Sequence, residues 1–354
     1  MTVPPDAPAL LEVDDLVVTF RSAGRVVHAV SSVGFTVDVG ETLAIVGESG
    51  SGKTVTMLSI LGLVPSPPAD IVSGTARFMG VDLLSADSEQ MRSIRGKDVG
   101  VVFQDPMTSL NPVITVGVQI REAIWVHDRH GSRSEHMERV MELLDLVGIP
   151  QPAQRAKQYP HEFSGGMRQR AMIAMAIANR PKLLIADEPT TALDVTIQAQ
   201  VIDVLMNAKQ SSGAATIIIS HDLGLVAEIA DRVIVMYAGR IVEQATTDDL
   251  FDRPRHPYTV GLLASMPSLD HRRARLSSIP GQPPQMTDTI VGCPFRSRCG
   301  LGRDRERCAI ERPPLVELAA EHWAACHYVD EVTGWAAAAA LAEVGAANGT
   351  ETPR

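Results

Sequence analysis

The sequence predicts an α/β domain on a largely parallel sheet, with a helical insertion and a small cysteine-bearing module after it. Three observations carry that prediction. From about Leu11 to Val242, short β-branched runs alternate with helix-length segments. From about Leu110 to Arg180 the strand signal is almost lost, and consecutive helices are expected. Beyond Pro267 the composition shifts to prolines, then to four cysteines, then to an alanine-rich end.

Bulk properties narrow the classes further. A chain of 354 residues, 45% hydrophobic and 21% charged, can bury a substantial core. A formal net charge of -10 disfavours a general nucleic-acid binder. The opening MTVPPDAPAL lacks the basic residue and apolar stretch of a secretion signal, so the protein is expected to stay where it is made. The longest apolar runs, Val55–Val64, Ala171–Ala178 and Trp335–Val344, fall short of the about 20 residues of a membrane span. If the protein works at a membrane, other chains supply the span. No internal repeat is visible, which predicts a single α/β unit.

The expected strands are Thr42–Val46, Val99–Phe103, Leu183–Ala186, Thr216–Ile219 and Arg232–Met236, each followed by a loop with unusual polar residues. Ligands of open α/β sheets sit beyond the carboxyl ends of such strands. Directly after the first comes Gly47-Glu48-Ser49-Gly50-Ser51-Gly52-Lys53-Thr54, a full match to G-x-x-x-x-G-K-S/T. The glycines let successive N–H groups point inward at a phosphate, and the helix expected over Val55–Leu63 presents its positive end. Lys53 would reach the β- and γ-phosphates of a nucleotide, and the Thr54 hydroxyl would ligate Mg²⁺. The strand Leu183–Ala186 ends in Asp187-Glu188. Asp187 would hold the Mg²⁺ shell through water, and Glu188 would polarise the attacking water.

Ser164-Gly165-Gly166 opens the helical run Arg168–Ala178, and a glycine-rich helix start is an anion cradle. The whole stretch Phe163-Ser164-Gly165-Gly166-Met167-Arg168-Gln169 resembles the signature motif of the ABC ATPase family, whose usual form is L-S-G-G-Q. Phe163 and Met167 depart from that form. Gln104 looks like the family's Q-loop glutamine, which would also reach Mg²⁺; Leu193-Asp194 looks like its D-loop; and His221 resembles its switch histidine. Phe20, at a strand end, is the candidate for the aromatic that stacks on adenine, with core packing as the alternative.

This resemblance spans roughly Leu11 to Val242. It implies an ABC-type P-loop ATPase with a RecA-like mixed-sheet core over residues 8–267 and a helical subdomain at about 110–180. It also implies two ATP molecules held between two cassettes, the phosphate loop of one facing Ser164, Gly165 and Gly166 of the other. The second cassette would be an identical copy or a paralogue. The helical subdomain and the Gln104 region would pass the motion to two transmembrane permease subunits at the cytoplasmic face of the membrane.

Finer resemblance narrows the class. Tyr159 to Arg170, His256-Pro257-Tyr258-Thr259 leading to Leu262-Leu263, and Ile279 to Pro284 look like stretches of the oligopeptide and dipeptide import ATPases, in which the variant Phe and Met are ordinary. That group implies peptide import with an extracellular solute-binding protein. Some of its members carry nickel, glutathione or other small solutes. A soluble ABC ATPase of DNA repair or translation would bring two cassettes or long coiled-coil inserts, and an exporter cassette is often fused to its span; neither pattern is visible here.

Cys293, Cys299, Cys308 and Cys326 are separated by five, eight and seventeen residues. Four thiolates can hold an iron–sulfur cluster or a zinc ion. Zinc usually shows close C-x-x-C pairs, absent here, and a broader spread suits a larger cluster. Free or disulfide-linked thiols are the third reading. The similar C-terminal extension of peptide-import ATPases implies a [4Fe-4S] site. His322 and His327 are near enough in sequence to replace a cysteine ligand. Nine arginines against four acids between Arg272 and Arg312 read as a solvated face or as balance for a negative cluster. The module is expected over 268–330, with an alanine-rich tail over 331–354 that is either a short helix from Trp335 or disordered.

Overall fold

Continuous apolar runs of five or six residues become strands buried on both faces, while alternating runs become half-buried antiparallel strands, and the chain contains both kinds. The computed structural model describes residues 9–337 apart from 23, 192–193, 267–278 and 288–289. At the front, β1 (Leu11–Ser22) and β2 (Arg25–Val37) form a hairpin, and β2 alternates buried and half-buried positions toward its end. Next, β3 (Thr42–Val46), buried throughout, leads into α1 (Lys53–Ile60). The chain returns to β1 through β4 (Ala69–Phe78) and β5 (Val81–Asp82), completing a four-stranded antiparallel sheet in the order β2-β1-β4-β5.

After α2 (Ser88–Ile94) and β6 (Val99–Val102) comes a run of helices without a described strand: α3 (Pro106–Ser109), α4 (Val116–Trp125), α5 (Arg133–Leu146), α6 (Pro152–Arg155) and α7 (Gly165–Ala176). Ser132 and Glu135 close a capping box at the start of α5, which fixes where that helix begins. These helices bury their own core, including Ile120, Leu143, Phe163 and Ile173, against Leu184 and Ile218 of the main sheet. The remaining elements are β7 (Leu183–Asp187), α8 (Val195–Ser212), β8 (Ala215–Ser220), α9 (Leu223–Ile229), β9 (Arg232–Tyr237), β10 (Arg240–Thr246), α10 (Thr247–Asp252), α11 (Pro257–Ala264), α12 (Glu306–Ile310), β11 (Val316–Ala319) and β12 (His322–Ala324).

The main sheet has eight strands in the order β11-β12-β10-β9-β3-β8-β7-β6. Its five strands from β9 to β6 are parallel, and all five are the runs expected from sequence, with ends shifted by a residue or so. The other three are antiparallel and were not expected. The front antiparallel sheet was equally unforeseen in its pairing, because β1 carries register shifts that break a simple alternation.

The last hairpin adds to the main sheet: Glu243 of β10 pairs with Ala324, and Gln244 with Trp323. Glu243 is fully buried and accepts from the N–H groups of Arg255 (2.6 Å) and His256 (3.0 Å). His322 Nε2 lies 2.9 Å from its carboxylate, so His322 is committed to this contact and is no candidate replacement for a cysteine ligand. Residues 329–337 are helical, including the start of the segment expected from Trp335; the rest of the tail and Arg272 lie outside the described residues. No helix among the described residues is long and apolar enough to cross a membrane.

Candidate nucleotide site

The phosphate loop follows β3, which lies between β8 and β9 inside the parallel part of the sheet. Gly47 has φ +147°, and a Cβ there would sit 2.2 Å from the Met236 carbonyl oxygen, so only glycine allows the chain to turn this close to β9. Gly52, with φ +103°, starts α1 without a side-chain cap and leaves the first helical N–H groups free for an anion. Lys53 is folded onto the loop, its Nζ donating to the carbonyls of Gly47 (2.7 Å) and Glu48 (3.0 Å). Burial pulls its ammonium below the ordinary value, against the Glu188, Asp187 and Glu48 carboxylates, which favour the charged form. The Ser51 hydroxyl is buried with no partner, and Ser49 and Gly50 are exposed at the tip.

Two carboxylates face this loop from the end of β7. Thr54 Oγ1 donates to Asp187 Oδ1 at 3.0 Å, and burial pushes the Asp187 carboxyl above the usual range. Glu188 sits in the left-handed region at φ +44°, where its N–H donates to the Ile219 carbonyl at 2.9 Å. Its Oε2 is the convergence point of the site. Gln104 Nε2 donates to it at 2.8 Å, Thr191 Oγ1 donates at 2.9 Å, and His221 Nδ1 lies 3.7 Å away. Thr191 was missed by sequence reasoning, although its place three residues after Glu188, in a turn that its N–H closes onto the Glu188 carbonyl at 3.2 Å, was a usable signal.

The other predicted residues lie elsewhere. Ser164 and Gly165 are exposed; Ser164 caps α7 by accepting from the Met167 N–H at 3.3 Å. Asp194 caps α8 through the Ile197 N–H at 3.1 Å, while Leu193 lies outside the described residues. A Cβ on Gly166 would meet Ile197 at 2.7 Å, so α7 and α8 approach closely at their starts. No described hydrogen bond or ion pair joins Ser164, Gly165 or Gly166 to the phosphate loop of the same chain. Phe20 pairs with Val27 and Ala69 in the front sheet and is half-buried against its core.

The sequence profile of the ABC transporter family matches residues 30–191, and that of the oligopeptide/dipeptide transporter C-terminal region matches residues 242–308. The chain is 51% identical to the oligopeptide transport ATP-binding protein OppD of Bacillus subtilis, over 89% of this chain and 87% of the relative. It is 52% identical to a probable peptide ABC transporter ATP-binding protein of Sinorhizobium fredii, over 93% and 97% respectively. The chain belongs to the ABC transporter family. The OppD of Mycobacterium tuberculosis is 52% identical over 93% of this chain, which spans 53% of the length of that relative. Among solved structures, the dimeric post-hydrolysis state of an ATP-binding cassette bound to ADP and Pi shares the fold, with a TM-score of 0.60 at 24% identity over 67% of this chain and 98% of that one.

In this ABC protein, residues beyond the cassette motifs reach the phosphate loop from behind. Glu48 is ion-paired with Arg298, which is only 5% exposed, and its N–H donates to Tyr258 Oη at 2.8 Å. The pairing with Glu48 holds the Arg298 guanidinium above its ordinary value, so this arginine belongs neither to a solvated face nor to charge balance for the cysteines.

Cys293, Cys299, Cys308 and Cys326 all line one cavity. Gly302 faces it: a Cβ there would lie 2.9 Å from Cys308 Sγ and 3.5 Å from Cys299 Sγ. Backbone N–H groups point at two sulfurs, Gly302 to Cys299 at 3.1 Å and Tyr328 to Cys326 at 3.4 Å. Burial, reinforced by the neighbouring thiols, pushes Cys293 up to about 11 and Cys326 up to about 12. All four thiols are free of disulfides. Among the described residues no group of three or more His, Cys, Asp or Glu is close enough together to hold a metal ion as it stands. His327 also lines the cavity, with its Nε2 2.9 Å from the Glu311 carbonyl.

Proposed function

We propose that this chain is the ATP-hydrolysing subunit of an ABC importer of dipeptides or oligopeptides. The observation that carries the reading is the convergence of Gln104, Thr191 and His221 on one oxygen of Glu188, beside a phosphate loop whose Thr54 already meets Asp187. Peptide as the cargo class is supported by the match of residues 242–308 to the oligopeptide/dipeptide transporter C-terminal region. The test is ATP-dependent uptake by the chain reconstituted with its membrane partners in vesicles. Uptake of labelled peptide is expected; uptake of nickel or glutathione but not peptide would replace the cargo, and no ATP turnover would overturn the reading.

In the proposed cycle the phosphate loop and Lys53 bind the triphosphate, and Glu188 draws the attacking water toward the γ-phosphorus. The water oxygen bonds to phosphorus as its proton passes to the Glu188 carboxylate and from there to the product phosphate or solvent, the bond to the β–γ bridging oxygen breaks, and ADP leaves with that electron pair. Gln104 and Thr191 hold Glu188 in line, and His221 joins it at the γ-phosphate. Thr54, Asp187 and Gln104 would hold Mg²⁺, a hard cation that takes oxygen ligands and neutralises phosphate charge. The fit is good, since Asp187 is a buried carboxylate whose close partner is a hydroxyl. Ser164 and Gly165, which are exposed, and Gly166, which is half-buried, make no described hydrogen bond to their own phosphate loop and would face the ATP of a second cassette, with Asp194 at the start of the neighbouring helix α8.

The partners proposed are that second cassette, two permease subunits and an extracellular solute-binding protein, with the chain peripheral at the cytoplasmic face. We divide the chain into a nucleotide-binding domain over 8–267, with the helical subdomain at about 110–180, a cysteine module over 268–330 and a tail over 331–354. Phe20 is the proposed adenine-stacking aromatic.

Asp187 gives a test in two signs. A carboxyl raised by burial contributes stability below its unfolded value and loses it as pH rises through the folded value. Asp187→Asn is therefore expected to melt higher than the wild type at neutral pH when nucleotide-free, the gap shrinking as pH falls. The same variant should lose the extra thermal shift that Mg²⁺ adds to ATP. A lower melting point at neutral pH would contradict the assignment.

We further propose that Cys293, Cys299, Cys308 and Cys326 hold a [4Fe-4S] cluster, supported by their shared cavity, the N–H groups aimed at sulfur and the space kept by Gly302. Such a cluster would staple a segment with little core of its own. Gly302→Val is expected to cut iron and sulfide content of anaerobically prepared protein by more than half. Wild-type iron in that variant, or stoichiometric zinc in the native protein, would sink the cluster.

A further inference from the structure

Glu48 is the one acidic residue of the phosphate loop, and it is tied to a residue 250 positions away. Arg298 Nη1 donates to its Oε2 at 2.7 Å and Nη2 to its Oε1 at 2.8 Å, a bidentate pairing. The guanidinium has little freedom to leave. It also donates to the carbonyls of Pro280 (3.0 Å) and Ile279 (3.3 Å) and to Tyr237 Oη (3.4 Å). It lies 5.8 Å from the ring centre of Tyr237 and 5.9 Å from that of Phe295. Tyr258, which receives the Glu48 N–H, packs 4.7 Å from Tyr237 and 5.3 Å from Phe295. The loop is thus held at its second residue by side chain and backbone together, from elements that lie outside the nucleotide motifs.

A carboxylate in a loop that curls around a triphosphate repels the ligand unless it is neutralised and turned aside. The charge of Glu48 reaches as far as Lys53, whose ammonium it favours. We propose that Arg298 is a positioning residue for ATP: it neutralises Glu48, turns that carboxylate away from the nucleotide and fixes the loop in its binding shape. The inference rests on the nucleotide-site reading above. It also gives the residue beside Cys299 a direct line to the nucleotide, so an alteration of the cysteine pocket that moves Arg298 acts on ATP affinity.

The test measures ATP affinity by calorimetry, and kcat and KM for ATP, on the chain assembled with its membrane partners. Arg298→Gln is expected to weaken ATP binding at least about tenfold, as truncation of one member of a buried charge pair does, while kcat at saturating ATP falls less than about threefold. Adding Glu48→Gln to Arg298→Gln should recover most of the lost affinity, because the unpaired carboxylate is gone. A merely structural arginine would show no such recovery. Unchanged affinity in Arg298→Gln, or a double variant as weak as the single one, overturns the proposal. Should Arg298→Gln fail to assemble, Arg298→Lys carries the test, since one ammonium cannot serve both oxygens; wild-type affinity there also overturns it. Failure of the wild type itself to bind ATP would instead sink the nucleotide-site reading.

Discussion

Glu188→Gln is expected to bind ATP with near-native affinity and to lose turnover in the proposed importer by roughly 10²- to 10⁴-fold, the usual worth of a positioned proton acceptor. The substitution is well suited to the question. Glutamine has the same length, and its carbonyl oxygen still accepts from Gln104 and Thr191 at the point where Oε2 now does. The backbone is held in its unusual φ by the bond from the residue 188 N–H to the Ile219 carbonyl, which the side chain does not touch. What disappears is the negative charge that draws a proton from water. Phosphate release by the assembled complex, beside an ATP binding isotherm, reads the two quantities separately. Hydrolysis within a fewfold of the wild type would remove Glu188 from its role and leave the convergence on its carboxylate without a function.

Lys53→Met is expected to act one step earlier, abolishing tight ATP binding and, with it, turnover. The ammonium donates to the carbonyls of Gly47 and Glu48, bonds it can exchange for phosphate oxygens without moving far. Methionine fills the same buried space but offers no positive charge. Loss of one preorganised donor at a transferring phosphoryl group costs about 10²–10³ in rate, and here the ground-state charge is lost as well. A drop in affinity of at least about 100-fold is expected, with the melting midpoint of the nucleotide-free protein little changed because a desolvated cation has been removed. Retained ATP binding would mean that the loop's N–H groups alone suffice.

The legible part of this fold was the part governed by local pattern. Five parallel strands announced themselves because a strand buried on both faces is a continuous apolar run, and the phosphate loop because its glycines and Lys53 sit at a fixed spacing. The helix α7 starts at Gly165 and not at Arg168 because Ser164 caps it, a detail the motif contained but the periodicity hid. The front sheet was harder. Its first strand shifts register three times against β2, so no clean alternation survives in the sequence. Pairings across long separations were not legible at all. Glu48 reads with the rest of the phosphate loop as nucleotide-binding and Arg298 as one of nine arginines, and nothing local announces that the two meet. Likewise β11 and β12 are short and partly exposed, and only the pairing of β12 with β10, and of β11 with β12, makes them strands.

That last pairing shapes how the protein must be made. Strand β10 is complete well before the hairpin that pairs with it, so the pairing of its outer edge, and the contact that the Glu243 carboxylate makes beyond the Arg255 and His256 N–H groups, are formed only when His322 to Ala324 emerge from the ribosome. Until then the nascent chain carries an open rim of unpaired N–H and C=O groups, the surface on which chains stick to one another. Expression of a fragment cut after α11 would leave that rim permanently open, and the fragment is expected to aggregate more readily than the full chain.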